Sequence, residues 1–304
     1  MKKIKEIYES YDEFDRLLRH RMEFYINLRF IKENLPNKNL RILDLGGGVG
    51  RYSIELTKMG HEVTLIDLAS KNIKNALKLS KEEKVNIYKV EVGNALDLSN
   101  IKDNTFDVVL AMGPFYHIQE TKLRFQCINE IKRVLKENGL LFSAHLSRYA
   151  FFKYIVANFP EKIDKYYNNF INVFEKGIKL KSDGDNFTDN TYTENVKNIL
   201  EFMEKSGFVK SEVISSEGLV DNIESKLIDL DFDKFQKIGE LLTEIRLFEN
   251  PNEPYVLWKF EYENGKMNRF IYFHDTPTFE IFSGYFNFEY ENDNLINVKE
   301  YNSE

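Results

Sequence analysis

The sequence predicts an α/β protein with a doubly wound, mostly parallel sheet of seven strands. Between residues 40 and 147, five short apolar runs alternate with amphipathic segments of helical length. Alternation of this kind is typical of βαβ units that form a parallel sheet covered on both faces. Two further strand-like runs, near 208–216 and from residue 255, bring the expected number of strands to seven.

The elements of the first half follow from these runs, which read RILDL, EVTLIDL, NIYKVEV, FDVVLAM and GLLFSAHL. Between them, apolar residues at helical spacing predict helices near 50–59, 70–81 and 119–137. Residues 5–34 are also helical in pattern, and Pro36 ends this run. We therefore expect a helical cap at 1–39 in front of a main domain at 40–260.

The main domain carries two predicted helical lid insertions, near 149–180 and 218–248. Residues 149–176 are helical in pattern and contain nine Phe and Tyr residues. These aromatic side chains either pack helices together or form an apolar lid over a substrate pocket, because the segment leaves from the end of the fifth strand. A helix is expected at 193–206, with Gly207 as its stop.

Residues 261–304 have a strand-and-turn pattern, in which Asn264 and Gly265 separate two alternating strands. Asn-Gly between such strands is a strong hairpin signal. A small antiparallel β extension is therefore predicted. Because an isolated short meander is only marginally stable, we expect it to cover an edge of the sheet or to form a homodimer contact.

Composition excludes several classes of partner. The chain of 304 residues has 42 Lys and Arg against 49 Asp and Glu, and this net charge of −7 disfavours a nucleic-acid partner. Cys127 is the single cysteine, so an internal disulfide is impossible. No run of about 18 apolar residues could span a bilayer, and the charged N-terminus lacks a signal-peptide core. We expect a soluble, cytoplasmic protein without a membrane partner.

The stretch LDLGGGVGRYS places four glycines within five positions, directly after the first strand. In an open parallel sheet, ligands bind at this first strand-to-helix turn, where glycine allows close approach of the backbone. The dinucleotide pattern fails, because Arg51 occupies its third glycine position and Gly50 comes one residue early. No Gly-Lys-Ser/Thr follows either. A cofactor without a pyrophosphate is therefore favoured.

Three further segments of the sequence support a ligand site at this turn. Asp67 ends the second strand, 21 residues after Gly46, where a carboxylate can bind both hydroxyls of a ribose; alternatively, Asp67 caps the next helix, a role for which Ser70 competes. The sequence Gly93-Asn94-Ala95 lies just past the third strand, and FDVVLAMGPFYHI ends the fourth.

Together, LDLGGGVG, LIDL, VGNALDL and FDVVLAMGPFYHI resemble, in order and spacing, the four motifs of class I S-adenosylmethionine-dependent methyltransferases. The resemblance covers about residues 40–147 and is closest to the bacterial small-molecule branch, which the segments YDEFDRL and LSRYA also resemble. Residues beyond about 260 have no counterpart. The resemblance implies a Rossmann-like fold, S-adenosyl-L-methionine as cofactor, S-adenosyl-L-homocysteine as product and a small-molecule methyl acceptor.

The resemblance also implies a set of cofactor-binding residues. The glycines of the turn would pass beside the methionyl part, Asp67 would hold the ribose, and Leu68 would pack on the adenine. Asp44 would order the turn or reach the amino group of the cofactor. Asn94 replaces the Asp that usually accepts from the adenine amino group; because an amide oxygen can still accept, we expect weaker adenine binding. The full set is Asp44, Gly46, Gly47, Gly48, Gly50, Asp67, Leu68, Gly93, Asn94, Ala95, Met112 and Gly113, the last two on the sulfonium side.

Methyl transfer from a sulfonium is an in-line displacement, so the protein mainly aligns the reactants and needs no metal. His117, in the fourth motif, is the candidate base or substrate-binding residue, or it ties down its own loop. Further candidates for substrate binding are Tyr116, His145, Arg148 and Tyr11; Arg148 could receive a substrate carboxylate or phosphate.

The stretch MGPF offers no polar side chain where base-methylating relatives carry one, so methylation of adenine or cytosine amines is disfavoured. A nitrogen, oxygen or sulfur atom of a small molecule is the expected acceptor. The alternatives are a non-catalytic cofactor-binding or scaffold protein and an RNA or protein methyltransferase. A nicotinamide oxidoreductase is disfavoured by the misplaced third glycine.

Overall fold

The computed structural model describes residues 2–10, 21–36, 39–179, 191–208, 213–216, 233–238, 261–263, 266–272, 282–291 and 294–301. Tyr11 and most of the predicted insertion at 218–248 lie outside these residues. Among the described helices, none combines the length and apolar character that a membrane span requires.

A five-stranded parallel sheet forms the centre of the molecule, in the order β3-β2-β1-β4-β5. Its strands are β1 (Arg41–Leu45), β2 (Glu62–Asp67), β3 (Lys89–Val92), β4 (Phe106–Ala111) and β5 (Leu135–Ser143). The chain moves outward from β1 to β3 and then returns to the other side of β1 with β4. The strand order therefore reverses beside β1, which is where open α/β sheets bind their ligands.

Helices cover both faces of this sheet. They are α1 (Lys2–Ser10), α2 (Arg21–Asn34), α3 (Arg51–Lys58), α4 (Ser70–Glu82) and α5 (Thr121–Val134). Successive side chains of a strand point to opposite faces, and β1 shows this: Ile42 packs with residues of α2 and α3, whereas Leu43 packs with residues of α5. The predicted α/β fold is thereby confirmed at the level of a five-stranded, Rossmann-like sheet.

After β5, the chain forms β6 (Leu146–Ser147), α6 (Ala150–Asn158), α7 (Ile163–Lys176), β7 (Thr193–Glu194) and α8 (Val196–Lys205). Strands β6 and β7 pair in parallel as a separate two-stranded sheet.

Three predicted helix boundaries were wrong. The helical pattern at 149–176 is interrupted by a 3₁₀ turn at Pro160–Lys162, because proline has no N–H for a continuing helix. The helix predicted at 193–206 begins later, since residues 193 and 194 pair with β6 and Asn195 caps α8. The helix predicted to reach residue 137 ends at Val134, because Leu135 pairs with Phe106 in the sheet.

The C-terminal strands are β8 (Glu261–Glu263), β9 (Lys266–Tyr272), β10 (Phe282–Glu291) and β11 (Asn294–Tyr301). Their backbones pair in antiparallel fashion in the order β11-β10-β9-β8. The described residues of the predicted strand at 208–216 form no strand, and the remainder lie outside the described chain. A seven-stranded central sheet, and the extension as a covering or dimer element, stay predictions.

Candidate functional site

A cavity lies at the carboxyl ends of β1, β2 and β4, where the strand order reverses. The space between its walls, counted out into the open mouth, is about 1050 Å³. Most of the residues predicted from the cofactor motifs line it, namely Asp44, Gly46, Gly47, Gly48, Asp67, Leu68, Gly93, Ala95, Met112 and Gly113. Tyr116 and His117 of the fourth motif line it as well. The fold thus brings four separate segments of the sequence together at one site.

The glycine-rich turn fits closely against its neighbours. Gly46 and Gly48 have positive φ angles of 70° and 57°, a conformation that glycine adopts without strain. A Cβ atom on Gly47 would lie 2.7 Å from the Asp44 carboxyl group. Gly50, with φ of 80°, precedes α3, and a Cβ there would meet Leu65. Gly50 does not line the cavity. The need for glycine at this position is explained by its positive φ and by its close packing against Leu65.

Asp44 is fully buried at the end of β1 and lines the cavity. Its Oδ2 accepts a hydrogen bond of 2.6 Å from Ser53 Oγ. Its Oδ1 is buried and has no hydrogen-bond partner among the described residues. Burial, with a smaller contribution from the nearby Asp67 charge, raises the pKa of Asp44 to about 6. A cationic donor in the cavity would satisfy this oxygen and stabilise the ionised carboxylate.

Asp67 is at the end of the neighbouring strand and already serves several protein donors. Its Oδ2 accepts from the Gly48 amide at 2.9 Å. Its Oδ1 accepts from the Ala69 amide at 2.9 Å and from Asn72 Nδ2 at 3.1 Å. Asp67 therefore orders both the glycine turn and the start of α4, so the ribose and helix-start interpretations of this residue are compatible. Ser70 does not compete for this role, because its N–H and hydroxyl donate to Glu9.

His117 ends a 3₁₀ turn, Phe115–His117, that follows β4. A hydrogen bond of 2.7 Å joins its Nε2 to Tyr8 Oη of α1, and its ring also contacts the Tyr116 ring edge-on. Phe115, the first residue of this turn, is buried and stacks on His145 at a centroid distance of 5.3 Å, which holds the turn in the core. His117 is thus held at the cavity wall on a rigid support.

Besides Gly50, three predicted site residues are described but do not line the cavity, namely Asn94, His145 and Arg148. Asn94 Oδ1 accepts from the Leu96 amide at 3.0 Å. The His145 ring is stacked on Phe115, and burial lowers its pKa to about 4, so it is a neutral packing residue. The contacts of these residues support structural roles.

Arg148 also departs from its predicted role. Its guanidinium forms an ion pair with Glu194 and donates to the Phe174 carbonyl, and its side chain is only 12% exposed. Because Glu194 already neutralises it, Arg148 holds the end of α7 against β7 instead of presenting a free charge to a substrate. The prediction of a substrate anion at Arg148 is corrected accordingly.

Sequence reasoning missed part of the cavity wall. Side chains of α1, α2, α3 and α4 contribute to it, namely Ile4, Tyr8, Glu23, Phe24, Arg51, Tyr52 and Asn72. The Arg51 guanidinium lies over the Phe24 ring, 3.8 Å from its centroid. The helical pattern of residues 5–34 indicated helices here but carried no signal of which face meets the sheet. In the part of the chain that is described, no group of three or more potential metal ligands occurs.

An open parallel sheet with a glycine-rich turn and a carboxylate at the point where the strand order reverses is typical of proteins that bind a nucleoside-containing cofactor. Residues 36–204, more than half of the chain, match the family described as "Methyltransferase domain". The chain belongs to this family.

Individual relatives agree with this assignment. The chain is 35% identical over 136 residues to a ubiquinone biosynthesis O-methyltransferase of Pelagibacter ubique, covering 40% of this chain and 53% of that protein. A protein of the same name from Methylocella silvestris is 34% identical over 114 residues, covering 37% of this chain and 42% of its own. The chain thus spans about half the length of these curated relatives or somewhat less.

Solved structures with a similar fold include a SAM-dependent methyltransferase from Methanosarcina mazei, at 25% identity and a TM-score of 0.46, covering 58% of this chain and 82% of that one. Another such structure, from Thermotoga maritima, has 21% identity and a TM-score of 0.47, and the match covers 66% of this chain and 80% of that one.

S-adenosylmethionine is the cofactor that goes with this family, and the residues of the cavity fit it. The unpartnered Oδ1 of buried Asp44 matches a cationic amino group. Gly46, Gly47 and Gly48, which carry no side chains, line the same wall as Asp67. A carboxylate at this position can accept from ribose hydroxyls.

Proposed function

We propose that this protein is an S-adenosylmethionine-dependent methyltransferase that acts by in-line methyl transfer to a nitrogen, oxygen or sulfur atom of a small molecule. The observation that carries the proposal is the meeting of Asp44 and Asp67, from adjacent strands, with His117 in one cavity beside the glycine turn. Two acidic acceptors suit the amino and ribose groups of the cofactor, and a histidine on the same wall suits an acceptor that must lose a proton.

When bound, the cofactor supplies an activated methyl group. Asp67 binds the ribose in this proposal, and Asp44 accepts from the amino group. Met112 and Gly113, at the end of β4, form the wall toward the reacting atoms. The protein contributes mainly alignment and exclusion of water, which suffices for an in-line displacement between well-oriented groups.

His117 is proposed to bind the methyl acceptor and to take its proton at Nε2. The proton arrives either directly, after Tyr8 Oη releases its hydrogen bond to this nitrogen, or through Tyr8, whose hydroxyl gives its own proton to Nε2 as it receives that of the acceptor. A general base of this kind contributes when the acceptor atom is protonated at neutral pH, as a hydroxyl is. The curated relatives are named O-methyltransferases, so hydroxyl compounds are the first acceptors to test. Phe24, Tyr52 and Tyr116 make the cavity wall partly aromatic, which favours a partly apolar acceptor.

The proposal is tested by isothermal titration with S-adenosylmethionine and S-adenosylhomocysteine, followed by a labelled-methyl assay against a panel of hydroxyl, amine and thiol compounds. We expect both nucleosides to bind at one site and at least one hydroxyl compound to receive the label. A folded protein that binds neither nucleoside would overturn the proposal. Binding without transfer to any compound in metabolite extracts would favour a cofactor-binding protein without catalysis.

We also propose that the chain is organised as a helical cap (1–39), a methyltransferase domain (40–260) with lid insertions, and a C-terminal extension (261–304) that covers a sheet edge or joins two copies. The antiparallel pairing of β8 to β11 supports a self-contained extension. Sedimentation of the full chain and of a chain that ends at residue 260 tests this. A dimer that persists without the extension would contradict its role in dimerisation.

A further inference from the structure

We infer that Asn72 is a further cofactor-binding residue, whose side-chain carbonyl accepts a hydrogen bond from one ribose hydroxyl of S-adenosylmethionine. This inference rests on the proposed function, because it assigns a part of the same cofactor to a residue of the same cavity.

Asn72 is the third residue of α4 and follows β2 closely. It is only 2% exposed, yet it lines the cavity. Its Nδ2 donates to Asp67 Oδ1 at 3.1 Å. Since a carboxylate only accepts, this bond fixes which end of the amide carries the nitrogen. The carbonyl end of the amide therefore points away from Asp67.

The carbonyl oxygen of Asn72 has no hydrogen-bond partner within the described structure. Buried acceptors without partners are rare and costly, and each one calls for an explanation. The bond to Asp67 explains only the nitrogen of this amide. A donor that arrives with a ligand explains the oxygen, because Asn72 forms part of the ligand cavity.

The state of Asp67 indicates which donor this is. A carboxylate has about four lone-pair positions, and Asp67 already accepts from Gly48, Ala69 and Asn72. A ribose diol brings two donors to this point. Because at least three of these lone-pair positions are taken, Asp67 can accept from no more than about one ribose hydroxyl, so the second hydroxyl needs another acceptor close by. The amide of Asn72 is hydrogen-bonded to Asp67 and supplies that acceptor.

The adenine amino group is the other donor of the cofactor to consider. Asn94, which corresponds to the family's usual adenine acceptor, uses its Oδ1 for the Leu96 amide. The adenine amino group therefore also lacks an obvious acceptor in the described cavity. The ribose is favoured because Asn72 is bonded directly to the carboxylate that holds it.

The experiment is a set of calorimetric titrations of S-adenosylhomocysteine and its 2′-deoxy and 3′-deoxy analogues into three proteins: the wild type, Asn72→Leu and Asn75→Leu. Leucine has nearly the shape of asparagine but no polar atoms. Asn75 is the matched control, because it lies one turn further along α4, is partly exposed and does not line the cavity.

We expect Asn72→Leu to weaken S-adenosylhomocysteine binding about tenfold, the usual effect of one buried hydrogen bond, and Asn75→Leu to change it less than twofold. One of the two deoxy analogues should bind the wild type about tenfold more weakly. The same analogue should bind Asn72→Leu as well as the parent nucleoside does. Such non-additivity is the signature of a direct contact.

Unchanged affinity for S-adenosylhomocysteine in a folded Asn72→Leu protein would overturn the inference. So would a result in which, for both deoxy analogues, the loss of affinity from the substitution and the loss from the missing hydroxyl simply multiply. Coupling to both hydroxyls equally would mean that Asn72 only orients Asp67, which contradicts a direct contact. If the non-additivity appeared instead with an analogue that lacks the adenine amino group, Asn72 would contact the base, which contradicts the inferred contact with the ribose. If the wild type bound no nucleoside at all, the proposed function itself would fall, which distinguishes the two failures.

Discussion

Tyr8 Oη and His117 Nε2 lie 2.7 Å apart, although the two residues are 109 positions apart in the sequence. This hydrogen bond joins α1 to the turn after β4. The next residue, Glu9, accepts from the Ser70 and Lys71 amides at the beginning of α4, and these bonds lower the pKa of Glu9. A carboxylate is favoured at a helix N-terminus. The end of α1 is thus held across the cavity between two other elements.

Tyr8→Phe should reduce turnover about two- to tenfold, because it removes one hydrogen bond to His117 while it keeps the aromatic ring. The binding of S-adenosylhomocysteine should change less. Steady-state kinetics with a responsive acceptor and a calorimetric titration measure the two quantities. Tyr88→Phe is the control, since Tyr88 is 62% exposed and does not line the cavity. Equal turnover in Tyr8→Phe and in the wild type would show that this hydrogen bond does not support catalysis.

His117→Ala should lower turnover by about 10²- to 10⁴-fold if His117 removes a proton, the usual contribution of a general base. Cofactor affinity should stay close to that of the wild type, because Asp44 and Asp67 carry that binding. Single-turnover rates and calorimetric titration of the same preparation separate the two effects. A parallel loss of rate and affinity would assign His117 to shaping the turn.

Asp44→Asn should weaken S-adenosylmethionine binding at pH 7.5 by about 1.5–3 kcal/mol, the range for a hydrogen bond to a charged group. The wild-type affinity should itself fall as the pH drops through about 6, where the free carboxylate takes up a proton. The variant should lack that dependence. Titrations between pH 5 and 8 test both points, and a variant that keeps the wild-type pH dependence would assign it to another group.

The raised pKa of Asp44 should also make the free energy of unfolding of the cofactor-free protein fall as the pH rises. The pKa of Asp44 is about 6 in the folded protein and 3.8 in its ordinary range, so the fold retains this proton more strongly than the unfolded chain does. The resulting stabilisation is fully present below about pH 4 and is lost as the pH rises through about 6. Two pKa units correspond to about 3 kcal/mol.

Urea unfolding of the wild type and of Asp44→Asn, compared at pH 4, 5, 6 and 7, isolates this contribution from all other titrating groups. Relative to the variant, the wild type should lose stability across this interval. A difference between the two proteins that stays constant with pH would contradict the raised pKa.

Gly47→Ala should destabilise the fold by about 1–3 kcal/mol and abolish cofactor binding. The added Cβ would lie 2.7 Å from the carboxyl group of Asp44, which its bond to Ser53 holds in place, and overpacking of a tight site has costs of this size. The double variant Gly47→Ala/Asp44→Ala should recover much of the stability but not the binding. Thermal unfolding and titration provide the two readouts, and additive losses in the double variant would rule out this steric contact.

The residues of the site that could be predicted belong to local patterns. The glycine turn, Asp67 and the fourth motif each follow a strand directly, and the carboxyl ends of parallel strands converge by topology alone. Tyr8 and Asn72 could not be found in this way, because their roles depend on contacts with residues distant in sequence or on the orientation of an amide. Arg148 was misjudged for the same reason: its partner Glu194 lies 46 positions away. The break at Pro160 was visible in the sequence, but the regular spacing of aromatic residues obscured it.

The position of α1 bears on how long a ligand stays in the cavity. Ile4 and Tyr8 form part of the wall, so a ligand that reaches them packs against a helix whose end is bonded to two other elements. We expect the contacts of Tyr8 and Glu9 to break together when this helix moves, a collective event slower than the loss of any single ligand contact, and to lengthen the residence time of such a ligand. Added salt, which screens the attraction between Glu9 and the α4 terminus, should therefore shorten the residence time more than it weakens the ligand's own hydrogen bonds.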